Sequence, residues 1–150
     1  MLGRVVAQYN LAFKSSDIRQ NLLAGTFSTY PCNGSVGVAS ALNDESPNPV
    51  PGRNLRTSPL GTLSFYRAGA DDVLEIVSVT YAKKADGQLA VLRSPLTSSN
   101  NPNPGNPFGQ NEAAVIADGP MLPNTTYVRT TVLKINGKTH TDIVEFTTGV

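Results

Sequence analysis

The sequence is poor in the side chains on which most enzymes and metal sites depend. Tryptophan is absent, and cysteine and histidine occur once each, as Cys32 and His140. One histidine excludes a two-histidine metal site, and one cysteine excludes a disulfide within the chain. No phosphate-binding glycine loop and no nucleophile-elbow motif is present. We therefore predict no catalytic residues, no metal ligands and a protein that is not an enzyme.

Charge of one sign and long apolar runs are also lacking. Twelve basic and eleven acidic residues give a net charge of +1, and 15% of residues are charged. Nucleic-acid binding normally requires a concentrated basic surface, so no nucleic-acid partner is expected. No window approaches the roughly eighteen apolar residues of a membrane span. Residues 1–10 lack a signal-peptide pattern, so we expect an intracellular protein or, preferably, an excised or mature piece of a longer secreted protein, located in the periplasm or outside the cell.

In contrast, the sequence is rich in the turn-forming residues glycine and proline. The 150 residues include 13 glycines and 11 prolines, with 39% hydrophobic residues. This composition is typical of a turn-rich β protein, and the length fits one domain, with or without an appended segment.

The clearest pattern lies at the end of the chain. Asn136-Gly137 suits a type I′ turn, because both residues tolerate positive φ, so residues 125–135 and 138–148 should form a β-hairpin. Tyr127 begins the first of these strands just after a turn, where β-sandwiches place a tyrosine corner. Its hydroxyl should bond to backbone a few residues upstream.

Arg129 does not fit the alternation of this hairpin. If Tyr127 faces the core, Arg129 and Thr131 also point inward, and Val128 and Val132 point outward. Because an unpaired buried charge is costly, we predict a bulge near Arg129 or burial of both faces of the strand.

Further strands and a helix follow from local patterns. Ser15, Ser16 and Asp17 can cap a short helix over residues 18–24, which Gly25 can end in the left-handed conformation. Prolines make residues 39–59 an irregular loop or a wrapped first edge. Strands are predicted at residues 62–66, 73–83, 88–93 and 113–117.

These elements predict an all-β, immunoglobulin-like antiparallel β-sandwich of about six or seven strands with a short amino-terminal helix. We divide the chain into residues 1–29, an amino-terminal segment, residues 30–59, a proline-rich stretch or first edge strand, and residues 60–150, the sandwich core. Glu75 either points inward at one end of a sheet, or its neighbours Val73 and Val77 lie on a half-exposed face.

The proline- and asparagine-rich loop at residues 94–111 is the candidate contact surface, since long loops on a rigid scaffold commonly carry function. An exposed Phe108 could stack on a sugar whose hydroxyls bind neighbouring amides, or could tuck onto the sandwich edge. The candidate binding residues are Asn101, Asn103, Asn106, Phe108 and Gln110.

Several segments resemble a known family. The stretches concerned are Tyr30-Pro31-Cys32-Asn33-Gly34, Pro59-Leu60-Gly61-Thr62, Asn111-Glu112-Ala113, the proline- and asparagine-rich loop and the closing hairpin. Together they resemble the carboxy-terminal immunoglobulin-like or fibronectin-III-like region that follows the CAP (SCP-like) domain in secreted bacterial proteins. The resemblance implies that residues 1–24 are the tail or linker of such an upstream domain. The paired His and Glu residues of the CAP site have no match here.

Three functions remain open. The leading one is a non-catalytic accessory or interaction module of a secreted bacterial protein, with a cell-wall or carbohydrate ligand. The alternatives are a structural spacer that packs against an upstream CAP-like domain, and a hydrolase with an unrecognised site. No cofactor is predicted, although turns rich in Asp and Asn could supply oxygen ligands to calcium. His140 is expected on an exposed strand, and Cys32 either as a semi-buried thiol or paired outside this chain.

Overall fold

The computed structural model describes residues 22–101 and 108–150, and this part of the chain contains eight β-strands. They are β1 (Phe27–Tyr30), β2 (Ser35–Val38), β3 (Leu63–Ala68), β4 (Leu74–Lys83), β5 (Leu96–Thr97), β6 (Glu112–Ile116), β7 (Thr126–Ile135) and β8 (Lys138–Thr148). The described residues include no helix, and hence no helix that could cross a membrane.

The strands form two four-stranded sheets. The first sheet has the order β1-β3-β6-β5 and the second has the order β2-β8-β7-β4. The predicted all-β, two-sheet architecture is thus confirmed in this coarse form. Two details of the prediction are wrong, because the strand count exceeds six or seven and because β2 pairs with β8 in parallel.

The closing hairpin is confirmed. Asn136 and Gly137 have φ values of 51° and 82°, as a type I′ turn requires. The register runs without a break from Ile135 opposite Lys138 to Thr126 opposite Thr147. The tyrosine corner is also present, because the Tyr127 hydroxyl accepts a 3.1 Å hydrogen bond from the Leu122 amide.

Of the two alternatives predicted at Arg129, the bulge is wrong and the burial of both faces of the strand is confirmed. The β7–β8 ladder is continuous, and the register shift lies in β4, between Ile76 and Ser78. Arg129 keeps its inward position and is 0% exposed, while the outward Val128 and Val132 are half-buried.

Partners from distant parts of the chain make this burial tolerable. The Nη1 atom of Arg129 donates to the Tyr30 carbonyl and the Ser64 hydroxyl, each at 3.0 Å. Its Nη2 atom donates to Thr29 Oγ1 at 2.8 Å and to Asp142 Oδ2 at 2.7 Å. The charge is therefore paired, which offsets much of the penalty on which the bulge prediction rested, and Nε is the buried donor of Arg129 without a partner among the described residues.

The core between the sheets consists of two apolar halves and a polar belt. One half surrounds Phe146 and the other surrounds Leu133. Between them, Tyr81 donates to the Ser64 hydroxyl at 2.6 Å, and the Tyr66 and Thr131 hydroxyls lie 2.9 Å apart. Burial raises the pKa values of both tyrosines, so the belt is held by neutral hydroxyls and by the Arg129 guanidinium.

The amino-terminal part differs from the prediction. Most of the predicted helix, residues 18–21, lies outside the described residues, and residues 22–24 are not helical. Gly25 does adopt the left-handed conformation, with φ of 76°. Because β1 and β2 belong to the two sheets, the sandwich begins well before residue 60.

The other predicted strands are found at similar positions, except that residues 88–93 form no named strand. This segment makes only single bridges, Leu89 to Ala82 of β4 and Leu92 to Ala117, and so crosses from the second sheet to the first. Of the two alternatives for Glu75, the second is confirmed, because Glu75 is exposed and Val73 and Val77 are about half-exposed.

Candidate functional site

The outer face of the first sheet is apolar where β3 and β6 run side by side. On β3, Ser64 and Tyr66 point into the core, so Leu63 and Phe65 point outward. On β6, Ala114 lies opposite Phe65 and Ile116 lies opposite Leu63. These four residues form an apolar floor outside the main core, which something else must cover.

The proline-rich segment at residues 39–59 provides part of that cover. Leu42 and Leu60 pair through two backbone hydrogen bonds of 2.8 and 3.1 Å and hold the two ends of the segment together. Leu55, Leu60 and Ile116 then form a buried apolar cluster beneath it. The segment is thus a fixed wall on the sheet.

Arg53 anchors this wall. Its guanidinium donates to the carbonyls of Ser58, Pro59 and Asp118 and to the Asp118 carboxylate, at distances of 2.7 to 2.9 Å. Arg93 donates to the same carboxylate oxygen at 2.8 Å. The hydrogen bond from Arg93, followed by that from Arg53, holds the pKa of the Asp118 carboxyl below its ordinary value.

The wall leaves part of the floor uncovered, and this gap is the outer-face groove. Its volume is about 350 Å³, within the range of small-molecule sites. Nine of its lining residues are apolar: Leu42, Pro47, Pro49, Leu63, Phe65, Leu96, Phe108, Ala114 and Ile116. The three polar lining residues are Glu45, Ser46 and Asn101.

An aromatic pair forms one end of the groove. The ring of Phe108 meets the ring of Phe65 edge to face, with centroids 6.0 Å apart and an interplanar angle of 74°. Both side chains are half-buried. Each therefore keeps surface that an apolar ligand could cover.

A second cavity of about 610 Å³ lies beside the groove, and we call it the arginine cavity. Arg93 and Asp118 are its charged lining residues, and Ser94 and Asn100 add polar groups. Pro49 and Leu96 line both cavities. The groove and the arginine cavity are therefore neighbours on the same face of the molecule.

The predicted binding residues divide between three places. Asn101 and Phe108 both line the groove. Gln110 is exposed and bonds weakly, at 3.4 Å, to the Asp71 carbonyl, away from the groove. Asn103 and Asn106 lie outside the described residues. Sequence reasoning missed Phe65, Leu96 and the proline wall, although the apolar residues on both faces of β3 and β6 signal a second buried surface.

Two other expectations from the sequence are wrong. His140 was expected on an exposed strand, but it lies on the inward face of β8, half-buried, with its ring 5.8 Å from that of Phe27. Its Nε2 atom is buried and has no hydrogen-bond partner among the described residues. Of the two alternatives for Cys32, the semi-buried thiol is wrong, because Cys32 is exposed with Sγ 3.4 Å from the Thr29 carbonyl oxygen. Its pairing outside this chain stays a prediction.

Among residues 22–101 and 108–150, no three His, Cys, Asp or Glu side chains come together as a metal site would require. No protein-family model matches this chain, and no curated protein matches it. The groove must therefore be interpreted from its own geometry.

Proposed function

We propose that this chain is a non-catalytic binding module whose site is the outer-face groove. The observation that carries the proposal is the groove itself, a concave and mainly apolar surface with an aromatic pair at one end and few polar groups. Ligand sites commonly have this composition and size. His140 and Asp142 point toward the interior and do not line the groove, where Glu45 is the charged residue among those described.

We further propose that the sandwich is of the immunoglobulin-like type and serves as an accessory of a secreted bacterial protein. The strand order supports this type, because the two sheets correspond to strands A-B-E-D and A′-G-F-C of such domains. The hydrogen bond between Leu122 and Tyr127 supports it independently. The cell-surface role rests on the sequence resemblance alone, and cell-wall carbohydrate is one candidate ligand.

A structural spacer is the second candidate. Gly25 is bonded to Asp72 beside the Asn136 turn, whereas Gly149 pairs with Val38 and Asn124 near the start of β7. Because β7 has ten residues, these two points lie about 30 Å apart. The chain thus enters and leaves the sandwich at opposite ends, a geometry suited to modules in series.

Binding by the wild-type chain and two variants would test the proposed function. Phe108→Ala removes one ring of the aromatic pair, and Ile143→Ala removes an exposed apolar side chain from the second sheet. Two readouts suit an unidentified ligand: retention on cell-wall polysaccharide, and fluorescence of the apolar dye Nile red.

We expect the wild-type chain to give at least one signal. Phe108→Ala should weaken it about fivefold to tenfold, because an aromatic contact is lost. Ile143→Ala should leave it unchanged. Absence of both signals from the wild-type chain, or equal signals from all three proteins, would contradict ligand binding in the groove and favour the spacer function.

A further inference from the structure

The groove and the arginine cavity adjoin along the first sheet, because Pro49 and Leu96 line both. Leu96 and Phe65 both pair with Ala114 of β6, so they lie about 10 Å apart, two strand spacings. Arg93 flanks the same strand, because its amide donates to the Ile116 carbonyl at 2.9 Å. We call the two adjoining cavities the trough, which is apolar at the Phe65 end and charged at the Arg93 end.

At the Arg93 end of the trough, positive charge exceeds negative charge. Among residues 22–101 and 108–150, Asp118 is the one carboxylate that lines the arginine cavity, and two guanidinium groups bind it. Arg53 is 19% exposed and commits its donors to the proline wall and to Asp118. Arg93 is 39% exposed, and the one hydrogen bond described for its guanidinium goes to Asp118. Arg93 therefore carries surplus positive charge and unused N–H donors on the wall of the cavity.

We propose that the trough binds a small amphipathic carboxylate. Its apolar tail lies over Phe65 and Leu96, and its carboxylate pairs with the guanidinium of Arg93. This inference rests on the proposed function and adds to it the chemical class of the ligand.

Two arguments favour this ligand class over a sugar. A sugar carries hydroxyl groups around its whole rim, and within the described part of the chain the polar residues that line the groove are Glu45, Ser46 and Asn101. An alkyl or aromatic tail needs no such partners. At the other end, the planar guanidinium fork of arginine matches the geometry of a carboxylate, and such charge-assisted bonds are stronger than neutral ones.

Titration calorimetry with octanoate and octanol tests the proposal, because these probes share a tail and differ in charge. Arg93→Gln removes the charge, and Arg93→Lys keeps the charge but loses the fork. Arg56→Gln is the matched control, since Arg56 lines neither the groove nor the arginine cavity and its pair with Asp44 is largely exposed.

We expect octanoate to bind about tenfold more tightly than octanol, with an affinity that falls as salt rises. Arg93→Gln should lower octanoate affinity about tenfold and leave octanol affinity unchanged. Arg93→Lys should fall between Arg93→Gln and the wild-type chain, and Arg56→Gln should match the wild-type chain.

Different results would overturn the carboxylate inference alone and the proposed function as a whole. Equal affinities for the two probes, or an Arg93→Gln variant that binds octanoate like the wild-type chain, would overturn the carboxylate inference and leave the groove as a binding site. Absence of binding by either probe, together with absence of Nile red and polysaccharide signals, would overturn both proposals.

Discussion

Arg129 shows how a single residue can determine the interior of the sandwich. A fully buried guanidinium costs several kcal/mol in lost hydration, and this cost is offset only when the charge is paired and its donors are satisfied. Here Asp142 supplies the counter-charge, and Ser64, Thr29 and Tyr30 supply further acceptors. The ring of Tyr66 adds a cation–π contact, 5.1 Å from Cζ to the centroid.

Asp142→Ala should therefore destabilise the protein strongly. The substitution leaves Arg129 buried without a counter-charge, and we expect a loss of about 3 kcal/mol in the free energy of unfolding, measured by urea denaturation. Thr141→Ala, at the exposed neighbouring position, is the control and should change stability by less than about 0.5 kcal/mol. A loss below about 1 kcal/mol for Asp142→Ala would show that the other acceptors suffice.

These partners explain why the sequence could not predict the fate of Arg129. Tyr30, Thr29 and Ser64 lie 99, 100 and 65 residues away along the chain. No local pattern encodes those contacts. The alternation of β7 correctly predicted that Arg129 points inward. It could not predict the distant partners that offset the cost of burying its charge.

At the scale of elements, the turn between β7 and β8 is also a junction. The side chain of Asn136 donates to Asp72 at 2.7 Å and accepts from the Val73 amide at 2.9 Å. Asp72 in turn accepts from the Gly25 and Gly69 amides. The hairpin turn, the β3–β4 loop and the start of the described chain are thus joined at one carboxylate.

Gly137→Ala should weaken the hairpin. The φ of 82° is unfavourable for a residue with a Cβ atom, so we expect a loss of about 1 kcal/mol in thermal or urea unfolding. Gly119→Ala is the control, because its φ is not in the left-handed region and an added Cβ would meet nothing within 4 Å. Equal effects of the two substitutions would contradict the turn assignment.

The junction also predicts a pH dependence of stability. The hydrogen bond from the Gly25 amide, followed by that from Asn136, lowers the pKa of Asp72 from its ordinary value. A carboxylate with a lowered folded-state pKa contributes stability above its unfolded pKa of about 4, and this contribution is lost as the pH falls through the folded pKa.

Asp72→Asn should accordingly be less stable than the wild-type chain at neutral pH, with the difference shrinking in acid. Urea denaturation between about pH 7 and about pH 2 would measure it. Asp71→Asn, at the exposed neighbouring position, should follow the wild-type curve. A constant difference between Asp72→Asn and the wild-type chain at all pH values would rule out the ionised form as the stabilising species.

The elements also show which strands the sequence pattern could predict and which it could not. The hairpin was predictable because Asn136-Gly137 and the alternation on either side are local signals. β1 and β2 have four residues each, and β2 gains its place by parallel pairing with the distant β8. Short strands that depend on such pairing carry no periodic signal long enough to detect.

At the scale of the whole molecule, the groove brings together four separate segments. The proline-rich segment supplies Pro47 and Pro49, β3 and β6 supply the floor, and Leu96 and Phe108 flank the far side. The sequence predicted a contact surface near Phe108 but not its partners. Those partners meet only because the proline-rich segment folds over the outer face of the first sheet.

The central claim is that this face, and not the outer face of the second sheet, binds a ligand. The second sheet also exposes apolar side chains, including Val77 and Ile143, so the two faces can be compared directly. Mapping of amide chemical-shift changes on addition of octanol tests the claim most directly. We predict changes centred on Phe65, Leu96 and Ala114 that saturate as octanol is added. Changes centred on Val77 and Ile143, or weak changes spread over both faces without saturation, would contradict it.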